Sequence, residues 1–205
     1  MRAIVKALDK NLESKLDNRQ AGTTLAAAEN KRPDMLPVIL DVEASGLGRG
    51  SYPIEVGYVL ADQRSHCMLI KPLPEWLRWD VAAEKLHGIQ RAQLLQFGVD
   101  IKTAAQILNE SLRGLTVYSD AWGNDQSWLA LLFEHAGFLP AFKLRTLREL
   151  LSDAQLEVWQ PTKIAVVKEL ALGRHRASND ARILQLTYLR TCELTGGDPG
   201  FRKRA

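Results

Sequence analysis

The chain has 205 residues, of which 46% are hydrophobic and 25% charged, and its formal net charge is +3. This length suits one domain with a full hydrophobic core, and the composition excludes a disordered or fibrous chain. Without a membrane-length apolar run or a signal-peptide core, we expect a cytoplasmic protein with no membrane partner. Cys67 and Cys192 lie far apart in the sequence, which fits two unpaired thiols in a reducing compartment. The small positive charge permits a polyanionic partner but does not argue for one.

Residues 1–34 differ in character from the rest of the chain. They are rich in charge, and their apolar side chains recur at helical spacing, at Ile4, Val5, Leu8, Leu12 and Leu16. The segment Lys31–Asp34 (K-R-P-D) is typical of a linker. We therefore predict a partly helical N-terminal extension over 1–34 and one folded domain over 35–205. The extension docks on the domain, docks on a second copy, or remains loose.

The pattern from Pro37 onward predicts an α/β domain. The predicted strands are 38–42, 54–60, 66–70, 115–119 and 142–144. The predicted helices are 79–86, 90–97, 101–112, a segment around 128–133, 146–152, 162–172 and 178–194. Short turns join the first three strands, which favours antiparallel hairpins, and strands then alternate with helices. This order predicts a mixed five-stranded sheet flanked by helices.

Two carboxylates, Asp41 and Glu43, stand two residues apart at the end of the first strand. Because side chains alternate across a strand, both point to the same face. Two acids on one face repel each other unless a cation lies between them, and a divalent cation with oxygen ligands fits that place. The alternative interpretation is a pair of solvated acids at a strand end.

A third acid, Asp125, precedes the apolar helix around 128–133. Aspartate is also a favoured helix N-cap, so by itself this position indicates a cap as readily as a ligand. Asp120 follows the strand 115–119 directly and competes with Asp125 for the same functional place.

His175 and Asp180 lie five residues apart, where a loop meets the last helix. The aspartate is suited to binding a metal, and a histidine is suited to moving a proton because the unperturbed pKa of this residue type lies near neutrality. The alternative is a surface histidine beside an aspartate that favours the helix dipole. Acids at these separate places can meet at one edge of a mixed sheet, and phosphoryl transfer by two metal ions requires such a set.

The motifs together are similar to those of the DEDDh 3′→5′ exonuclease family, which includes the proofreading subunit of bacterial replicative polymerase, ribonuclease T and oligoribonuclease. Ile39–Leu47 (I-L-D-V-E-A-S-G-L) resembles the first motif, D-x-E-T-T-G-L. Ile54–Gly57 (I-E-V-G) and Leu86–Ile89 (L-H-G-I) resemble its I-I-E-I-G and V-H-G-I segments. Asn124–Leu129 (N-D-Q-S-W-L) resembles the second motif, and His175–Ala181 (H-R-A-S-N-D-A) matches the third, H-x-A-x-x-D-A.

The resemblance implies a ribonuclease H-like fold and a set of site residues. Asp41, Glu43 and Asp180 would bind the ion that activates water, and Asp125 would reach the second ion. His175 would be the general base. The residues implied for binding the terminal nucleotide are Ala44, Gly46, Leu47 and His87. The two ions would be Mg²⁺ or Mn²⁺.

The predicted function is therefore an exonuclease that acts on a nucleic acid with a free 3′ end, most simply single-stranded, and releases nucleoside monophosphates. The alternatives are a catalytically idle module that binds nucleic-acid ends, and an endonuclease or transposase relative on the same fold. DNA and RNA are not distinguished, and a homodimer or a polymerase partner remains open. Six basic residues are candidates for phosphate contacts: Lys143, Arg145, Arg148, Arg174, Arg176 and Arg182.

Overall fold

A mixed sheet of five strands organises the computed structural model, which describes residues 36–173 and 175–197. The strands are β1 (Val38–Ala44), β2 (Pro53–Val59), β3 (Ser65–Leu69), β4 (Thr116–Ser119) and β5 (Lys143–Thr146). They lie in the order β3-β2-β1-β4-β5. The first three pair antiparallel, whereas β4 runs parallel to β1 and β5 runs parallel to β4. The predicted mixed five-stranded sheet with antiparallel hairpins is confirmed.

Six α-helices occur in the described part of the chain. They are α1 (Val81–His87), α2 (Arg91–Phe97), α3 (Ile101–Leu112), α4 (Trp122–Ala136), α5 (Asp153–Leu170) and α6 (Ala177–Thr195). None of them is long and apolar enough to cross a membrane. The predicted helix of the N-terminal extension, residues 1–34, lies outside the described residues.

Two predicted helices are wrong in extent. The segment 146–152 contains only one turn of 3₁₀ helix, Leu147–Leu150. Helix α5 begins at Asp153 rather than at 162, because Ser152 and Gln155 form a capping box that starts the helix there. Pro161 lies inside α5, where a proline ordinarily breaks a helix. The hydroxyl of Thr162 donates to the Val158 carbonyl at 2.7 Å, which adds a side-chain hydrogen bond close to the proline.

The two faces of β1 pack against different layers. Leu40 and Val42 join the larger core cluster, to which α3 and α4 contribute. Ile39, on the other face, packs in a second cluster with Ala181 and Leu184 of α6. Since residues 39, 41 and 43 share a face, the strand extends two carboxylates along the side that α6 covers.

Candidate active site

Acidic side chains from β1, α4 and α6 surround one cleft of about 220 Å³. Its wall contains all five residues that the sequence predicts to be catalytic, namely Asp41, Glu43, Asp125, His175 and Asp180. The fold therefore brings these side chains together from widely separated parts of the chain.

Asp41 and Glu43 occupy the carboxyl-terminal part of β1. Burial raises the pKa of Asp41 well above its usual value, and the charge of Asp125 raises it further. Burial also raises the pKa of Glu43 to about 7, and the charge of Asp180 adds to this effect. The protein alone therefore disfavours full ionisation of these carboxyls at neutral pH, and a bound cation would reverse that preference.

Asp125 is fully buried in the first turns of α4. The Ser119 hydroxyl donates to its Oδ2, whereas its Oδ1 has no hydrogen-bond partner among the described residues. Burial raises the pKa of Asp125 to about 7, and the Ser119 hydrogen bond opposes that shift. The interpretation of Asp125 as a helix cap is wrong, because Ala121 occupies the cap position of α4. A buried carboxylate oxygen without a partner is costly, and a cation in the cleft would satisfy it.

Asp120, the alternative second-motif acid, also lies in the wall of the cleft. It follows β4 and is exposed, and its Oδ2 accepts a hydrogen bond from Lys163 Nζ at 3.0 Å. Asp120 therefore already has a cationic partner, while the buried Asp125 lacks one. This contrast favours Asp125 as the ligand.

His175 and Asp180 close the cleft on the side of α6. One ring nitrogen of His175 lies within 4.8 Å of a carboxylate oxygen of Glu43 and of one of Asp180. The backbone N–H of His175 donates to Asp180 Oδ2 at 2.7 Å. His175 has a φ of 61°, a strained conformation for a residue with a side chain and one that is enriched at functional sites. The carboxylate of Asp180 thus holds the backbone that presents the imidazole.

An ion pair between the exposed Arg176 and the buried Glu55 connects the start of α6 to the sheet. Glu55 of β2 is fully buried, and Arg176 donates to both of its oxygens, with Nη2 to Oε1 at 2.6 Å. The backbone N–H of Ala177, the first residue of α6, donates to Glu55 Oε2 at 2.8 Å. This bond satisfies one of the donors that a helix leaves unpaired at its start, and the negative charge suits the helix dipole. Glu55 therefore helps to set where α6 lies relative to β1.

Gly57, two residues further along β2, allows α6 to approach the sheet closely. A Cβ at this position would lie 2.1 Å from the Ser178 backbone nitrogen and 2.3 Å from the Ala177 carbonyl carbon. Backbone atoms cannot be displaced cheaply, so this contact requires glycine. The I-E-V-G segment thus combines an anchor for α6 with the space that the helix needs.

The four predicted substrate-binding residues do not belong to the lining of the cleft within the described chain. Ala44 is buried at the end of β1, and Gly46 packs so closely that an added Cβ would lie 2.8 Å from Asp80 Cβ. Leu47 has 66% of its surface exposed in the turn that comes after β1. Its contact with a nucleotide, like that of Ala44 and Gly46, stays a prediction.

His87, the fourth of these residues, holds a buried donor without a partner. Its Nδ1 accepts the N–H of Ile89 at 3.0 Å, so the proton of the neutral ring resides on Nε2. Burial lowers the pKa of His87, which favours this neutral form. Nε2 has no hydrogen-bond partner in the described part of the protein, and a contact of His87 with a nucleotide stays a prediction.

The described basic residues that were predicted to contact phosphates do not line the cleft. Arg176 pairs with Glu55, and Arg145 pairs with Glu149 at 2.7 Å. Arg174 lies outside the described residues, and the other five do not line the cleft.

Six further residues line the cleft that the sequence did not indicate as site residues, namely Val42, Ala121, Asn124, Trp128, Lys163 and Leu184. Lys163 lies in the middle of a helix, where neither spacing nor motif distinguishes it from a solvated surface lysine.

The donor set suits divalent metal ions. Carboxylate oxygens are the ligands that Mg²⁺ and Mn²⁺ prefer, and four aspartate or glutamate side chains line the cleft apart from Asp120. The unpartnered Oδ1 of Asp125 and the proximity of Glu43, His175 and Asp180 are independent features that fit a cation.

No protein-family model matches the chain, and no curated protein matches it. Solved structures of exonuclease I, however, are similar. E. coli exonuclease I in complex with a dA16 oligonucleotide is 11% identical, with a TM-score of 0.60 over 77% of this chain and 40% of that chain. The zinc ion-bound form of the E. coli exonuclease I–ssDNA complex is 12% identical, with a TM-score of 0.58 over 77% and 40%. Exonuclease I from Methylocaldum szegediense is 13% identical, with a TM-score of 0.56 over 76% and 40%.

The chain shares its fold with exonuclease I. The predicted ribonuclease H-like α/β fold is thereby confirmed. The chain spans about 40% of the length of these exonuclease I proteins. At this low identity the likeness concerns the fold, and the chemistry has to be argued from the residues of the cleft.

Proposed function

We propose that the protein is a metal-dependent 3′→5′ exonuclease that shortens a single-stranded nucleic acid and releases nucleoside monophosphates. The observation that carries this proposal is the meeting of four carboxylates and His175 around one cleft. Phosphoryl transfer by two metal ions uses carboxylates that hold both cations and a base that accepts the proton of the attacking water. The exonuclease I fold, which occurs in complexes with an oligonucleotide, supports the same class of substrate.

Four side chains would hold two Mg²⁺ or Mn²⁺ ions: Asp41, Glu43, Asp125 and Asp180. When bound, such ions stabilise the negative charge that develops on the scissile phosphate and on the leaving oxygen. The raised pKa values of Asp41, Glu43 and Asp125 reflect burial and mutual repulsion, which a cation relieves. Residues 35–205 would form the exonuclease domain. The protein would act in the cytoplasm.

His175 would act as the general base. The oxygen of a water molecule bonds to phosphorus as the bond from phosphorus to the 3′ oxygen breaks, and the neutral imidazole accepts the proton of that water. His175 suits this role because its ring lies beside Glu43 and Asp180, and because Asp180 holds its backbone. The leaving 3′ oxygen takes up a proton from the solvent, so the products are a nucleoside 5′-monophosphate and a strand with a new 3′ hydroxyl.

The terminal nucleotide would lie between the cleft and the turn after β1. Leu47 offers an exposed apolar surface for the base, next to Ala44 and Gly46. The buried Nε2–H of His87 would donate to an oxygen of the nucleotide, which supplies its missing partner. These contacts favour a chain end over an internal position.

A degradation assay on single-stranded DNA and RNA of the same sequence, labelled at the 5′ end, tests the proposal. We expect a ladder of products shortened one nucleotide at a time in Mg²⁺ or Mn²⁺, and no products in excess EDTA. A 3′-phosphate should block degradation, and a circular strand should not be cut. His175→Ala should lower turnover strongly with little effect on binding.

Two results would contradict the proposal. Cleavage that persists in EDTA would remove the metal ions from the mechanism. Nicking of circular strands that His175→Ala leaves unchanged would indicate a different nuclease activity. Binding of 3′ ends without any cleavage would instead favour the idle binding module.

A further inference from the structure

Lys163 is a cation in the wall of a cleft that is otherwise acidic. It lies on α5 and lines the cleft together with Asp41, Glu43, Asp120, Asp125 and Asp180. Among the described residues that line this cleft, it is the only lysine or arginine. Its side chain is 23% exposed, so most of it is packed against protein. Its Nζ lies 3.0 Å from Oδ2 of Asp120, which lines the same cleft.

Asp120 fixes the direction of this lysine. Its Oδ2 lies 3.0 Å from Lys163 Nζ, and Asp120 is the residue that directly follows β4. An ammonium group has three N–H donors, and the Asp120 contact uses one of them. The remaining donors are available to an anion that enters the cleft.

The stability of the folded protein does not by itself explain the ion pair between Lys163 and Asp120. An ion pair with a partly exposed partner contributes little to folding, since solvent screens it, and Asp120 has 38% of its side chain exposed. Two divalent ions would balance the four charges of Asp41, Glu43, Asp125 and Asp180, so the phosphates of a bound strand would still need cationic partners. A lysine tethered at the edge of the cleft meets that need.

We propose that Lys163 binds a backbone phosphate of the nucleic acid, and that Asp120 is the residue that positions it. This inference rests on the exonuclease function proposed above. Asp120 therefore acts on the substrate through Lys163. Although it lies close to the second motif in the sequence, it is not one of the proposed metal ligands.

Salt dependence distinguishes a phosphate contact from a structural role. Binding of a fluorescent oligothymidine is measured in Mg²⁺ over a range of NaCl concentrations, in a His175→Ala background that does not degrade it. Each phosphate contact with a single strand contributes about 0.7 to the slope of log affinity against log salt. Lys163→Met should lower the slope by about this amount and weaken binding about tenfold at low salt. Lys163→Arg should retain the slope.

Lys168→Met is the matched control, because Lys168 lies on the same helix, is exposed and does not line the cleft. It should leave both the slope and the affinity unchanged. In otherwise wild-type protein, Lys163→Met should raise KM more than it lowers kcat. Asp120→Asn should raise KM by a smaller factor, and adding it to Lys163→Met should have little further effect.

An unchanged salt slope for Lys163→Met would overturn the inference, even if the variant were less active. Tighter Mg²⁺ binding by Lys163→Met, together with that unchanged slope, would show that the lysine only offsets the acidic charge of the cleft. The inference would also be overturned if Lys168→Met lowered the salt slope as much as Lys163→Met does. Any lysine of α5 would then have the same effect on binding. The proposed exonuclease function fails separately, if the wild-type protein does not shorten oligonucleotides.

Discussion

The backbone N–H of His175 donates to the carboxylate of Asp180, with 2.7 Å between nitrogen and Oδ2. One side chain thereby has two tasks, since the carboxylate that would bind a metal also holds the loop of the proposed base. The positive φ of His175 depends on such restraint, because that conformation is unfavourable for a residue with a Cβ. Loss of Asp180 should therefore affect the base as well as the metal.

Asp180→Asn and Asp180→Ala separate these two tasks. The asparagine oxygen can still accept the His175 N–H but lacks the negative charge, whereas alanine lacks both. Both variants should lose cleavage by orders of magnitude, because a metal ligand is missing. In a crystal structure or by NMR, the His175 loop should retain its conformation in Asp180→Asn and should change in Asp180→Ala. Full activity of the asparagine variant would contradict the assignment of Asp180 as a ligand.

Asp125→Asn and Asp120→Asn form a second pair. Asp125→Asn should reduce turnover by orders of magnitude, because it removes the negative charge of a proposed metal ligand whose buried Oδ1 has no hydrogen-bond partner among the described residues. Asp120→Asn should have a mild effect, through Lys163 only. Steady-state cleavage rates at several Mg²⁺ concentrations measure the difference. The opposite ranking would show that Asp120 belongs to the second motif.

The metal-free protein should become less stable as pH rises from about 4 to about 7. In that window folded Asp125 keeps a proton that the unfolded chain has released, since burial raises its folded pKa from 3.8 to about 7. Unfolding then releases protons, so the free energy of unfolding falls with increasing pH. The loss attributable to this group should be on the order of 1–3 kcal/mol. Thermal unfolding in EDTA at a series of pH values measures it.

Asp125→Asn is the control for this pH dependence. The variant should show a flatter profile of Tm against pH and should exceed the wild type in Tm near pH 8 in EDTA. Mg²⁺ or Mn²⁺ should raise the Tm of the wild type at that pH far more than that of the variant. A wild-type Tm that rises between pH 5 and 8 in EDTA would show that burial does not raise the pKa of the cleft carboxyls in the folded protein.

Gly57→Ala should destabilise the protein by about 3 kcal/mol or more, because the new Cβ would collide with the backbone of α6. Gly123→Ala is the comparison, since a Cβ there meets no atom within 4 Å and alanine favours helices. Urea unfolding of both variants measures the contrast. Equal stability of the two would mean that α6 can move away from β2 at little cost.

Removal of residues 1–33 should leave a folded and active domain, because every described strand and every proposed catalytic residue lies beyond them. Circular dichroism and the degradation assay test this expectation. A truncated protein that cannot fold would show that the N-terminal segment belongs to the core or to an interface.

The sheet was predictable because its signals are local. The apolar runs at 38–42 and 54–60 coincide with strands, and short turns between them indicate antiparallel pairing. Helix α5 was mistaken because Pro161 lies within it, while the capping box at Ser152 and Gln155 starts it well before the predicted residue 162. In that case local chemistry at the helix start prevailed over the usual effect of proline.

The proposed catalytic residues could be predicted from motif spacing, but their supports could not. Glu55 and Arg176 are 121 residues apart, and no periodicity relates them. Lys163 is similar, since only the fold reveals that its helix passes the end of β4. Single residues whose partner lies far away in the chain carry no local signal, and this limits what a sequence alone can indicate.

The ion pair between Glu55 and Arg176 has a consequence for the order in which the proposed active site is assembled. During synthesis, β1, β2 and α4 leave the ribosome before the segment that forms α6. Until that segment docks, Glu55 lacks Arg176 and the Ala177 N–H, and Asp180 and His175 are absent from the cleft. A growing chain therefore carries Asp41, Glu43 and Asp125 before it has the complete proposed site. The proposed active site is therefore complete only after the last described helix has packed against the sheet.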